Sequence, residues 1–420
     1  MNLSEKGWLS RYLAYRVANF EESESEALMD SINQLTDSES FIYFTLQPTG
    51  IFYGFPIRMP GLHNVNDSEW SEPEKMKVLL LESLFYIAVY NSPDALQRKH
   101  YIAIYMTELI PELITFYEHM LGLKPTEGVY NPFTVLEGIL DKRLEIRTSF
   151  SIDAWTSLFH NSLLAVDIIM FNTWFTKVEN VRLENVTLLT DRVLRTIACI
   201  VASDDMRESE KKAYFKLFVK SANLPHSLTR EIEDSIDKPF PASSIDLKPI
   251  DSWLLRKLVM EIAILTALTD RLITDTEKQA LDELGQCLHL SEFDLDISYM
   301  AIERILEDSQ DKIPFLRNKN NGLQIFTDSL NNRIGLKLKK NKRMLLQELG
   351  ESKELVYLMA KATYNKLTPE ESKKVREQLI DILKTIPAVS IFMIPGGSVL
   401  LPVLLRFLPK KYILPSSFLD

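Results

Sequence analysis

The sequence predicts a mainly α-helical protein, built of several helical subdomains with one small N-terminal β-hairpin. Three observations carry that prediction. Glycine is scarce, 13 of 420 residues, which argues against glycine-rich nucleotide-binding architectures and for helices. Apolar residues recur at helical spacing through most of the chain. Helix-start signals punctuate it, namely Ser71 before Pro73 and Glu74, Ser92 before Pro93, and Asn131 before Pro132.

Taken in order, residues 1–35 read as helix, with Trp8, Leu9, Tyr12, Leu13, Arg16, Val17 and Phe20 at the required spacing. The β signal follows. Phe41–Leu46 and Ile51–Phe55 flank Gln47-Pro48-Thr49-Gly50, whose proline and glycine suit a turn, so a hairpin is expected over 41–55. Residues 57–74 read as a polar loop. Helices are then expected over 74–91, 94–121, 132–146 and 151–175, with Pro111 kinking or dividing the second. His100, His119 and His160 fall in these helices without the H-x-x-x-H or H-E-x-x-H spacing of a zinc site.

The centre holds an internal repeat. One copy starts at Ala198 and the other at Ala263, each running apolar helix, acidic turn, amphipathic helix and Leu-centred turn. Asp270, Asp275 and Glu277 in the second copy have two readings. They could gather a hard cation with oxygen ligands. Alternatively, Thr274 and Glu277 form the S/T-x-x-E capping box, and Asp275 suits a helix start. The second copy resembles the tellurite-resistance TerB-like helical module, keeping its Asp-to-Glu spacing at Asp270 and Glu277 with Arg271 in place of glycine. Between the copies, residues 237–251 carry three prolines and two serines and read as a linker or inter-helix loop. The expected domains are 1–180, 181–310 and 311–420.

Composition bounds the function. The chain is 46% hydrophobic and 25% charged, within the ordinary range of globular proteins. Its net charge of −10 speaks against general nucleic-acid binding, DNA included. Two cysteines form no disulfide framework or zinc motif, and the acidic start MNLSEKGW is not that of a signal peptide, so a cytoplasmic setting is expected. No nucleophile elbow, P-loop, dinucleotide fingerprint or C-x-x-C occurs, so neither an enzyme nor a cofactor is expected.

Charge reverses after Asp311. Lys312–Arg343 holds nine basic residues against Asp328, a local net of +8 that leaves −18 on the remainder. At its densest this tract contributes Arg333, Lys337, Lys339, Lys340, Lys342 and Arg343. Such a run is drawn to phosphates, whether of ribosomal RNA or of anionic lipid. Helices 352–365 and 369–385 follow, the second begun by Thr368, Pro369 and Glu371. Ala388–Leu405 is then uncharged for eighteen residues. A continuous helix of that length would be about 27 Å long, the lower limit for a bilayer. Pro395, Gly396 and Gly397 break it, and Pro402 breaks it again, so two short apolar helices joined at an elbow are expected. Lys410 and Lys411 follow.

From about Asn341 to Phe418 the chain resembles the leucine-zipper/EF-hand transmembrane (LETM) family. The resemblance is carried by Pro387, Pro395, Gly396, Gly397, Leu401, Pro402, Phe407, Leu408, Pro409, Leu414, Pro415, Ser416 and Phe418. The length fits a shortened bacterial branch described as biofilm-associated. The resemblance implies an inner-membrane setting, ribosome binding and a link to cation balance. The family's EF-hand loop and heptad zipper have no counterpart here. Three functions follow as expectations. First is an adaptor, peripheral to or anchored in the inner membrane, whose basic region binds ribosomes or anionic lipid. Second is a soluble helical scaffold whose apolar run is core, and third is a cation/proton antiport component.

Overall fold

The computed structural model describes most of residues 2–308, chiefly excepting 60–69, 93–100, 145–162, 204–211 and 269–273, together with scattered positions from Leu355 to Gln378. The described part is mainly helical and contains no strand. The chain divides into two compact units, Met1–Ser291 with Ala301–Gly322, and Glu292–Met300 with Leu323–Asp420. The boundary expected at 180/181 lies inside the first unit.

In the first unit α1 (Trp8–Ala18) buries Trp8, Leu9, Tyr12, Leu13 and Arg16, the face its spacing predicts. Its free N-terminal amides are capped from a distance. Glu137 accepts the Gly7 and Leu9 amides at 2.6 and 3.1 Å. A carboxylate is well placed there, because unpaired N–H groups and the helix dipole both favour negative charge. α2 (Glu22–Gln34) follows.

The expected hairpin does not form. Ser38–Leu46 is a helix, α3, and two 3-10 turns, Gln47–Thr49 and Ile51–Tyr53, replace the turn and second strand. The physical reason lies in the pattern. Phe41-Ile-Tyr-Phe is a continuous apolar run without alternation, which suits a buried strand or a buried helix equally. Asp37 decides locally, since its side chain accepts the Ser40 amide at 2.8 Å as an N-cap. Burial of Phe41, Ile42, Tyr43 and Leu46 decides globally. Gly50 still turns the chain. It sits at φ +87°, and a Cβ there would lie 1.9 Å from the Phe55 carbonyl oxygen, so no other residue fits.

α4 (Glu72–Asn91) is buried nearly all round from Met76 to Val89 and starts with the expected Ser71–Glu74 capping box. α5 (Tyr101–Glu108) and α6 (Ile110–Leu121) split one helical stretch at Leu109, with Pro111 in the first turn of the second. α7 (Pro132–Arg143) is capped by Asn131, as its sequence predicts. α8 (Leu164–Trp174) packs on α4, and α9 (Leu183–Ala202) packs on α6 and α8. α10 (His226–Ser235) lies on α9 and buries only Ile232. α11 (Trp253–Ala267) is buried almost throughout, against α9, α3 and α8. α12 (Asp275–Cys287) packs on α9 and α11, and α13 (Glu292–Asp308) follows, its residues divided between the two units at Met300.

The core is therefore a set of apolar helices, α4, α8 and α11, sheathed by amphipathic ones. The long helices α9 and α11 pack on each other. In the second unit Leu355, Leu358 and Val375 are buried, Lys361 pairs with Glu371 at 2.6 Å, and Thr368 caps Glu371 as expected.

Candidate functional site

Arg333, Lys337, Lys339, Lys340, Lys342 and Arg343 lie outside the described residues, as do Pro395, Gly396, Gly397, Pro402 and Asp270. Asp275 and Glu277 are described, and α12 separates their roles. Glu277 is fully buried and folds back on the helix start, accepting the Thr274 amide at 2.9 Å and its hydroxyl at 3.1 Å. Thr274 in turn accepts the Glu277 amide at 3.2 Å. Asp275 points to solvent and meets Lys278 at 3.2 Å. This is a complete capping box. Among the described residues no group of three or more His, Cys, Asp or Glu side chains could hold a metal ion.

The body encloses charge in sealed clusters. On α11, Lys257 and Glu261 are both fully buried, 3.5 Å apart at one helical turn. Tyr43 of α3 donates its hydroxyl to Glu261, and Tyr53 donates to the other oxygen at 2.6 Å. Gln47 donates to the Tyr53 hydroxyl at 2.8 Å, and the Lys257 ammonium sits 4.9 Å from the centre of the Tyr43 ring. Burial pushes the Glu261 carboxyl upward, opposed by Lys257 and the two phenols. A second cluster joins Arg16 of α1 to Glu82 of α4 at 3.1 Å and to Glu24 of α2, with Tyr12 donating to Glu82. A third joins Arg143 of α7 to the buried Asp167 of α8 through two hydrogen bonds. The first two clusters are enclosed and Arg143 in the third is one-fifth exposed, and each joins helices that meet through it.

One feature of the body does face solvent. Between α9, α10 and the loop 240–246 runs a groove of about 960 Å3. Leu183 and Leu188 of α9 floor it and are 48% and 43% exposed. Leu228 of α10 and Phe240 and Ile245 of the loop form its other apolar wall. Ala242 and Ile250, both buried, pin that loop, and the turn Ala242–Ser244 rests on α12. Of the two readings of this stretch, linker or inter-helix loop, it is the loop, packed between α10 and α11.

Charges line the groove in a defined arrangement. Arg195 holds both oxygens of Asp191 through its Nε, at 2.9 and 3.1 Å, and reaches Glu231 of α10 at 2.7 Å through Nη2. These two carboxylates outweigh partial burial and raise the Arg195 pKa. Arg192 also bonds Asp191, but its Nε is buried without a hydrogen-bond partner. Among the described residues Glu184 is exposed and has no ion-pair partner, and the exposed Asp246 accepts the Lys248 amide and has no ion-pair partner.

Sequence reading missed this groove because its walls come from segments some fifty residues apart and its floor consists of ordinary leucines. A usable signal was Asp191-x-x-x-Arg195, an ion-pair spacing beside Leu188 on the same face of α9. Among the described residues no helix is long and apolar enough to cross a membrane. Comparison with protein-family models, curated proteins and solved structures finds no match.

Proposed function

We propose that this chain is a non-enzymatic, membrane-associated adaptor whose basic C-terminal region docks on arrays of phosphates, those of the ribosome or of anionic lipid headgroups. One observation carries the reading. A tract of net +8, Lys312–Arg343, stands against −18 on the rest of the chain and leads toward the uncharged run Ala388–Leu405. Lysine and arginine near an anionic surface each contribute about 1 kcal/mol, and counterion release makes such binding fall steeply with salt. The apolar run, broken at Pro395-Gly396-Gly397 and at Pro402, supplies two short greasy segments that strengthen attachment once the basic residues have delivered them. The resemblance to the LETM family supports the same pairing of membrane and ribosome, and extends it to cation balance.

The test is sedimentation of the full chain with purified ribosomes and, separately, with vesicles containing anionic lipid. Charge reversal at Lys337, Lys339, Lys340 and Lys342 to glutamate should abolish co-sedimentation with one or both at low salt. The two arms identify the source of the phosphates. Unchanged sedimentation in both arms refutes the proposal.

A further inference from the structure

We propose that the groove between α9, α10 and the 240–246 loop is a docking site for a basic amphipathic helix of a partner protein. This does not rest on the phosphate-binding reading, since it uses none of the C-terminal residues. The floor is apolar and open. Leu183 and Leu188 each leave nearly half of their surface in water, an exposure shared among the described aliphatic side chains by Val17, Leu123 and Val178, and only these two line the groove. The volume of about 960 Å3 is at the upper end of ligand pockets, which run about 300–1,000 Å3, and it is shaped by the faces of α9 and α10 and by the 240–246 loop.

The lining selects the form of the occupant. An extended peptide gains affinity by adding main-chain hydrogen bonds to a sheet edge, and the described residues contain no strand. Beyond their end turns, α9 and α10 have spent their backbone groups on themselves. A helical occupant satisfies its own backbone and offers side chains at i, i+3, i+4 and i+7 to such a groove.

The charges select the sign. Four carboxylates face or rim the groove, at Glu184, Asp191, Glu231 and Asp246, against two guanidinium groups at Arg192 and Arg195. Arg192 and Arg195 together neutralise Asp191 and Glu231. Glu184 and Asp246 stand open on the rim, so a net of −2 meets an incoming chain. Lysine or arginine flanking the apolar stripe of the occupant complements those two carboxylates, and an acidic helix is repelled.

The experiment uses the full chain and a fluorescein-labelled peptide of leucine and lysine, its leucines at i, i+3, i+4 and i+7, read by fluorescence anisotropy. The lysine peptide should bind, weaken as salt rises, and lose at least about tenfold in affinity to Leu188→Asp, which removes the floor. Ser235→Trp, which fills the groove from the α10 wall, should do the same, with the thermal midpoint of each variant confirming an intact fold. The same peptide with glutamate for lysine should not bind. Absence of lysine-peptide binding, equal binding of the glutamate peptide, or unchanged affinity in both folded variants would overturn the proposal.

Discussion

Two charged clusters of the helical body are made of the same chemistry and put it to opposite use. Lys257 and Glu261 are fully buried on α11, where Tyr43 and Tyr53 donate to the carboxylate and the Tyr43 ring faces the ammonium. Arg195, Asp191 and Glu231 form an equally compact set, but on the wall of an open groove. The difference shows that a helical pair at i,i+4 has no fixed worth. Enclosed, it cannot be halved without stranding a charge. On the groove wall, water takes the place of either Arg195 or the exposed Glu231, and the buried Asp191 keeps Arg192 as its partner.

Substitutions sharpen that contrast. Lys257→Met should produce the largest loss, about 3–5 kcal/mol in urea unfolding, because Glu261 is left buried without its counter-ion. A loss no greater than that of a surface variant would break the distinction. Glu74→Gln should come next, at about 1–2 kcal/mol. Glu74 accepts the Leu3 and Ser71 amides and the Ser4 and Ser71 hydroxyls, and against the opposing effect of burial these bonds lower its pKa from 4.5 to about 2. A depressed carboxylate stabilises above its unfolded value and loses that contribution as pH falls through the folded one. The gap between wild type and variant should therefore be full at neutral pH and close between pH 4.5 and about 2, as measured by unfolding at successive pH values. Arg195→Met should cost least, below about 1 kcal/mol, since Glu231 is solvent-exposed and Asp191 keeps Arg192. A larger cost would place the groove charges with the structural set.

The helical character of the chain was legible because it is local. Caps at Ser71, Asn131, Thr274 and Thr368 read directly from short motifs, and Pro111 marked the break between α5 and α6. What failed was the segment 41–55, where an unbroken apolar run carries no period and tertiary burial chose helix. The buried pair on α11 was half legible. Lys257 and Glu261 are charges one turn apart in an otherwise apolar helix, yet nothing local says that Tyr43 and Tyr53 arrive from more than two hundred residues away. The groove was less legible still, because the proline- and serine-rich stretch 237–251 has the composition of a linker whether it floats or packs. The basic tract reads plainly from charge, and its placement lies outside the described residues.

Four phenols, on Tyr12, Tyr53, Tyr86 and Tyr117, are enclosed so deeply, each beside a carboxylate, that burial and the neighbouring negative charge hold them protonated well past the usual alkaline range. Tyrosinate absorbs where tyrosine does not. The protein thus carries its own optical seal: these rings change colour in base only when the helices around them part.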